Sequence, residues 1–180
     1  MNIFVLDDNP ITAAKQHCDK HVCKMIIESA QMLSTAHRML DGKETRRPSN
    51  SGKRIVQYWE MDSERMEKSL YKAVHMKHPC TIWTMESSAN YRWHWKLFNQ
   101  LCDEYTHRYK KVHETDIKLR RILWSFPNNI PYGPMTPFRQ AMFEDCKMSD
   151  TVKAYRKFYH KKPFKMVWTR RDTPSWYSYK

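Results

Sequence analysis

The stretch 10–40 constrains the fold most, because it contains no glycine and no proline after Pro10. Asn9 before that proline offers a capping side chain, followed by a residue suited to the first helical turn. The stretch therefore predicts a long amphipathic helix, broken at most once near its middle, that ends before Gly42. Its apolar face has helical spacing and consists of Val22, Met25, Ile26, Met32, Leu33, Ala36 and Leu40.

Further helices are predicted wherever a Ser, Thr or Asp that can cap free amide groups precedes a helical pattern. They span about 62–76, 87–110, 115–125, 137–143 and 150–160. The chain is long enough for one buried core. We therefore expect a mainly α fold, in which residues 1–180 form a compact single-domain helical bundle.

The remaining segments are predicted to be non-helical. Residues 3–6 form an apolar run that fits either a strand or a buried extended segment. Residues 78–83 suggest a turn, and 127–136 suggest an extended loop because this segment holds three prolines. The polar segment 43–54 suggests a flexible basic loop or insertion. The C-terminal tail, rich in aromatic residues, is expected to be irregular.

Lysine and arginine outnumber aspartate and glutamate by 32 to 19, a formal net charge of +13. Residues 106–180 have 17 basic and 6 acidic side chains, whereas residues 1–105 have 15 and 13. Such a charge is self-repulsive unless the usual partner is a polyanion. The composition favours a nucleic acid as the partner, and the alternative is a basic surface with no particular ligand.

Several classes of protein are disfavoured by the composition. No apolar run approaches the ~20 residues that a membrane span needs, and the opening residues lack the charge and length of a secretory signal. The five scattered cysteines indicate reduced thiols and a cytoplasmic protein. With only three glycines there is no glycine-rich motif that could bind phosphate, so we expect no cofactor. We also expect a monomer.

A polar stripe on the first predicted helix is the leading candidate for an active site. His17, His21, Lys24 and Glu28 follow one another at i, i+4, i+7 and i+11, which places them on one helix face. Cationic neighbours or partial burial can lower the pKa of a lysine and make it a nucleophile, while a glutamate can move a proton. The alternatives are an ordinary polar helix face and a metal site at the two histidines. Lys24 would repel a divalent ion, so no metal is expected.

Candidate contacts to nucleic acid lie in two further segments. In the segment 43–54, Arg46 and Arg47 are candidates for DNA contacts, although a solvated linker fits equally well. The C-terminal tail alternates basic and aromatic side chains, a pattern that suits stacking on unpaired bases beside phosphates. The alternative is a tail that folds back and buries its rings. The candidates in the tail are Arg170, Arg171, Trp176, Tyr177 and Tyr179.

Two of these segments resemble a known family. The run Ala-Lys-Gln-His at 14–17 and the Pro-x-Trp-Tyr-x-Tyr pattern at 174–179 are similar to the two ends of the phage pyrimidine-dimer DNA glycosylase/endonuclease V family. The opening MNIFVLDDNP with HCDKHVCKM also resembles uncharacterised phage and viral proteins. The resemblance covers only part of the chain and implies a compact all-helical enzyme of DNA repair.

The resemblance implies that an amine attacks the sugar of a flipped nucleotide, forms an imine and cuts the backbone by β-elimination. That family uses the α-amine of a threonine exposed by removal of methionine, whereas Asn2 predicts that Met1 is retained here. The family glutamate corresponds to Lys24, and Glu28 follows one turn later. Either the Met1 amine or Lys24 is then the nucleophile, with Glu28 as the acid/base group and His17 and His21 as orienting residues.

The sequence therefore predicts a DNA glycosylase with abasic-site lyase activity on damaged or modified bases. One alternative is a non-catalytic nucleic-acid-binding protein, whose affinity would come from phosphate contacts. A second alternative is a metal-dependent nuclease or nucleotide-processing enzyme that uses His17 and His21 as ligands.

Overall fold

The computed structural model describes residues 1–178, and this part of the chain is mainly α-helical. Tyr179 lies outside the described residues. No helix within 1–178 is long and apolar enough to cross a membrane. The helices are α1 (Pro10–Gln16), α2 (Asp19–Asp41), α3 (Glu64–Ser69), α4 (Pro79–Glu86), α5 (Ser88–Tyr109), α6 (Glu114–Leu119) and α7 (Thr151–His160). The two strands are β1 (Lys43–Pro48) and β2 (Ile55–Glu60), and a short 3-10 turn spans Glu144–Cys146.

The helix expected over 10–40 is broken once, at His17 and Cys18, which both have extended backbone. The buried guanidinium of Arg108 from α5 fills the break. It donates to the carbonyl of Lys15 at 3.0 Å and to that of His17 at 2.8 Å, and it pairs with Asp19 at 2.9 Å. Carbonyls that the end of α1 leaves without helical partners are thus satisfied by a side chain. The break gives α2 a direction of its own.

The core lies between α2, α4 and α5, with the N-terminal segment and α7 packed against it. Residues 3–6 are buried and do not pair with a strand. Of the two expectations for this run, the buried segment is therefore correct and the strand is not. All five cysteines are free, and four of them are buried. The N-caps predicted for α5 and α7 are confirmed: Ser87 accepts from the amide of Asn90, and Asp150 accepts from that of Lys153.

Residues 43–54, interpreted from the sequence as an irregular loop, include the first strand of a β-hairpin. Strands β1 and β2 pair antiparallel, from Lys43 opposite Glu60 to Pro48 opposite Ile55. Gly52 in the turn has a φ of +69°, a conformation that favours glycine. The charged sequence of β1 has a poor intrinsic preference for a strand. The hairpin depends instead on a contact from outside it.

That contact is the buried guanidinium of Arg38 on α2. It donates to the carbonyl of Trp59 on β2 at 2.7 Å and forms an ion pair with Glu67 at 2.7 Å. Glu67 also accepts a hydrogen bond from the hydroxyl of Tyr58 at 2.5 Å. These bonds fasten β2 to the C-terminal half of α2 and to α3, and so hold the hairpin in place.

Four local predictions differ from the structure. The helix expected over 137–143 does not form, because Thr136 does not act as its cap: its hydroxyl accepts from Asn90 and donates to Glu86. The helix expected over 62–76 ends at Ser69, and the helix expected over 115–125 ends at Leu119. Residues 78–83, expected to be a turn, instead begin α4, and His78 caps that helix through its ring nitrogen.

The fold buries several histidines in neutral form, and this predicts a loss of stability in acid. Burial lowers the pKa of His17 and of His37 to about 4, and that of His21 and of His94 to about 3. The unfolded chain takes up these protons below about pH 6.5, whereas the folded chain does not. We expect the free energy of unfolding to fall between about pH 6.5 and 4, by up to ~1.4 kcal/mol per pH unit for each histidine. Urea titrations across this range measure it, and a flat profile would contradict neutral burial.

The break between α1 and α2 predicts a large cost for the variant Arg108→Met. This variant leaves the carboxylates of Asp19 and Glu104 without their buried cation, so we expect a loss of about 3–5 kcal/mol in the free energy of unfolding. The matched control is Arg121→Met, an exposed arginine, which should change it by less than about 0.5 kcal/mol. Equal effects of the two variants in denaturant titrations would show that the junction does not need the charge.

Candidate active site

The carboxylate of Glu28 on α2 is the centre of the candidate site. Its side chain is only 13% exposed. Lys24, one turn earlier on the same helix, places Nζ 3.4 Å from Oε1, and the α-amine of Met1 lies 3.7 Å from Oε2. The backbone amide of Asn2 donates to Oε2 at 2.8 Å. The spacing of Lys24 and Glu28 was read correctly from the sequence, and the structure adds the N-terminus to the pair.

Asn2 holds the first residues of the chain at this carboxylate. Its side-chain oxygen accepts from the amide of Ile3 at 2.8 Å and from the hydroxyl of Tyr155 at 2.9 Å, and its Nδ2 donates to the carbonyl of Ala141 at 2.7 Å. The Met1 side chain is 3% exposed and is therefore packed. These bonds fix the position of the α-amine relative to Glu28.

A third amine, that of Lys162, belongs to the same cluster. The side chain is half-buried, with Nζ 3.8 Å from the ring centroid of Phe158 and 5.1 Å from that of Phe4. Burial and the nearby charge of Lys24 lower the pKa of Lys162, and Glu28 opposes that shift. Lys162 also lines a cavity of about 290 Å³ together with His160 and Tyr177. It therefore connects the Glu28 cluster to the C-terminal tail.

Lys162 was not among the sequence candidates. It stands in the run 161–165, where three lysines surround Pro163 and Phe164 after the end of α7. The concentration of basic residues there was visible in the sequence. Its folding back over Phe4 from the other end of the chain was not.

The predicted stripe is corrected at its two histidines. His17 lies in the break before α2, so it does not share a helix face with Lys24; its Nδ1 donates to the carbonyl of Ala13 at 2.7 Å. His21 is on α2 but is buried, stacked on Phe4 at 4.6 Å and hydrogen-bonded to the hydroxyl of Tyr159 at 2.6 Å. Both rings are parts of the core behind the site.

His78 at the start of α4 lies on another side of the cluster. Its pKa is lowered by burial first, then by the charges of the Met1 amine and His75, while Glu28 opposes the shift. Its Nδ1 accepts from the amide of Cys80 at 3.2 Å. His78 thus both caps α4 and feels the charge of the α-amine.

The two arginines predicted in the tail bind the protein itself. Arg171 forms a bidentate pair with Glu104, at 2.6 and 3.0 Å, and Arg170 donates to the carbonyl of Arg108 at 2.9 Å. Both contacts fasten the tail to α5. Their hydrogen-bonding groups are thus used within the fold, unlike the free phosphate contacts that the sequence suggested.

The tail aromatics fold back on the protein, which was the alternative considered for them. Trp176 is partly buried: it donates to the side chain of Gln16 at 2.8 Å and packs on Tyr159. Tyr177 stacks on His160, with ring centroids 5.0 Å apart. Gln16 and Trp176 belong to the two segments that carry the family resemblance, and these segments touch.

Of the two arginines predicted in the hairpin, only Arg47 lines a basic groove. Arg46 is exposed on β1, and Arg47 covers the ring of Tyr58 at 3.1 Å while lying 3.8 Å from Glu60. The groove between the hairpin and residues 72–74 has a volume of about 760 Å³. Its basic side chains are Arg47, Lys53, Arg54 and Lys72.

Within residues 1–178, no three side chains of His, Cys, Asp or Glu stand together in an arrangement that could hold a metal ion. The two histidines proposed as ligands in the metal-dependent alternative face aromatic rings instead. The groups gathered at the site are amines around a carboxylate. A neutral amine there can attack an electrophilic carbon, and the carboxylate can stabilise positive charge and carry protons.

Comparison of the chain with models of protein families found no match. Comparisons with curated proteins and with solved structures found none either.

Proposed function

We propose that the protein is a DNA glycosylase with abasic-site lyase activity, acting on a damaged or modified base in double-stranded DNA. The observation that carries this proposal is the nearly buried carboxylate of Glu28, held against the α-amine of Met1 and the side chain of Lys24. Lys162 supports it as a further amine with a lowered pKa. In this proposal the protein acts as a cytoplasmic monomer, a single helical domain without a cofactor.

The reaction begins when a neutral amine attacks C1′ of the sugar while the bond between C1′ and the base breaks. The base leaves with its electron pair and takes up a proton. The ring oxygen then leaves C1′ and is protonated as the nitrogen forms the imine. Removal of a C2′ proton expels the 3′ phosphate by β-elimination. Glu28 would stabilise the positive charge that develops at C1′ and carry protons between these steps.

The choice of nucleophile lies between amines that share one carboxylate. A lowered pKa increases the fraction of Lys162 that is neutral and able to attack. The α-amine of Met1 is the more firmly held, because Asn2 is hydrogen-bonded to Glu28, Ala141 and Tyr155, in three other segments of the chain. Lys24 is 65% exposed and reaches the site from solvent. Each choice of nucleophile predicts a different residue of the protein at which the sugar becomes covalently attached.

The basic hairpin groove supports a duplex as the substrate. Glu28 and the end of α2 are separated by about 20 Å along the helix axis, and the hairpin follows directly. That distance is the length of roughly six base pairs. A duplex centred on Glu28 would therefore extend to the cations of the groove, which offer phosphate contacts but no base readout.

The same groove is the observation that favours the second candidate, a nucleic-acid-binding protein without chemistry. Phosphate contacts alone give strongly salt-dependent binding, with no need for the Glu28 cluster. The two candidates differ in one outcome, because only the enzyme forms a covalent bond with the sugar.

Borohydride trapping tests the proposal. We expect the protein to form a covalent adduct with abasic duplex DNA when borohydride reduces the imine, and Glu28→Gln to slow its formation about 100-fold or more, because the variant cannot carry protons. Peptide mapping of the adduct by mass spectrometry then identifies the amine among Met1, Lys24 and Lys162.

The matched control is Lys153→Ala, an exposed lysine on α7, which should form adduct at the wild-type rate. Lys24→Ala, Lys162→Ala and a chain with a blocked α-amine complete the series. Absence of any adduct, or an adduct that survives the loss of all three amines, refutes the proposed chemistry.

The hairpin groove predicts how affinity for duplex DNA depends on salt. We expect Lys53→Ala to weaken binding on every sequence alike, and to reduce the slope of log affinity against log salt by about 0.9, as expected for one lost phosphate contact. Lys153→Ala again serves as the control, with unchanged slope. Equal slopes for the two variants, measured by fluorescence anisotropy, would place the duplex elsewhere.

A further inference from the structure

A second groove lies at the start of α5, on a surface that the proposed chemistry does not use. It has a volume of about 550 Å³. Trp124, at the groove, is 56% exposed and Tyr132 is 99% exposed, although large aromatic rings are usually covered. We call this surface the aromatic groove, and its lining includes Ser88, Arg92, Trp124, Phe126, Asn128 and Tyr132.

Arg92 is the cation of the aromatic groove. Its guanidinium lies 4.7 Å from the ring centroid of Trp124 and 4.2 Å from that of Phe126. In the described part of the chain it has no carboxylate partner, whereas seven other arginines there form ion pairs. Contact with rings does not use the N–H groups of a guanidinium, and their planar fork fits an oxyanion in two-point contact.

The walls of the aromatic groove are held in place before any ligand binds. The carboxylate of Asp41 accepts from the amides of Asn128 and Asn129, at 2.7 and 2.9 Å. Trp95, which is buried, packs against Trp124 with centroids 4.7 Å apart. The amide of Ser88 donates to the carbonyl of Pro131 at 2.8 Å, next to Tyr132. A fixed surface of this kind loses little conformational entropy on binding.

We infer that the aromatic groove binds an unpaired nucleotide of single-stranded DNA, with the base stacked on Trp124 or Tyr132 and its phosphate on Arg92. This inference deepens the proposed function, on which it rests for the partner, because flipping one nucleotide out of a duplex leaves its partner base unpaired. Lys96 lies one helical turn after Arg92 and is exposed, so it can meet the next phosphate.

The charge of the chain favours a nucleotide over a protein in this groove. Aromatic rings and arginine also occur at protein–protein hot spots. A second copy of this chain would bring another +13 of charge to the interface, however, whereas a nucleic-acid strand brings negative charge. The groove itself has an arginine and no acidic residue among its lining residues.

Binding of a fluorescent oligothymidylate, measured by anisotropy, tests the inference. Trp124→Ala should weaken affinity roughly 5- to 100-fold through lost stacking, and Arg92→Ala should in addition reduce the salt slope by about 0.7, as for one phosphate contact on a single strand. Phe143→Ala, another exposed aromatic residue, is the control and should bind as the wild type does. Thermal unfolding of each variant checks that it is folded.

Three outcomes would overturn the inference. They are no binding of the oligothymidylate by the wild type, equal affinity for Trp124→Ala and Phe143→Ala, and a wild-type dimer in sedimentation that Trp124→Ala dissociates. Failure here is distinguishable from failure of the proposed function, since this binding is measured without chemistry. If no borohydride adduct forms but oligothymidylate still binds, the proposed enzyme activity is refuted and the proposal for the aromatic groove stands.

Discussion

The buried guanidinium of Arg108 is the interaction on which the arrangement of the site depends. It occupies the break between α1 and α2, where it satisfies the carbonyls of Lys15 and His17 and pairs with Asp19 and Glu104. A continuous helix would have kept His17 in line with Lys24. The break instead places His17 in the core and starts α2 afresh, so that Lys24 and Glu28 meet the N-terminal segment. Removing either partner of such a pair leaves a buried charge uncompensated.

The same junction decides which basic residues remain available to a ligand. Glu104, buried beside Arg108, also takes the guanidinium of Arg171, and Arg170 binds the backbone at the end of α5. The excess of positive charge in the second half of the chain therefore includes cations that hold the tail. Those of the hairpin groove and Arg92 have fewer partners inside the fold. Part of the positive charge that the sequence concentrates in residues 106–180 is thus used within the fold, whereas the hairpin groove lies in the first half of the chain.

The sequence predicted correctly those features whose signals lie close together along the chain, and it missed those that depend on contacts between distant residues. Helices α5 and α7 follow from local caps at Ser87 and Asp150, and the pair Lys24 and Glu28 follows from helical spacing, since each signal lies within a few residues. The hairpin was missed because Arg38, distant in sequence from β2, fixes it. Lys162 was missed for the same reason: only the folded chain brings it close enough for Glu28 to affect its pKa. The helix expected after Thr136 failed because Asn90 and Glu86 claim the side chain that would have capped it.

In the Glu28 cluster, a single carboxylate does not neutralise the positive charge of the surrounding amines. Ammonium groups at Met1 and Lys24, with Lys162 close by, repel one another, and burial adds a cost for each charge that loses water. The lowered pKa of Lys162 is one response to this crowding. In the proposed function, a phosphate of the substrate would reduce the repulsion further, because it would bring negative charge to the amines without displacing Glu28. In the proposed function, excess positive charge and an amine of lowered pKa would suit a sugar that carries phosphates at its 3′ and 5′ positions.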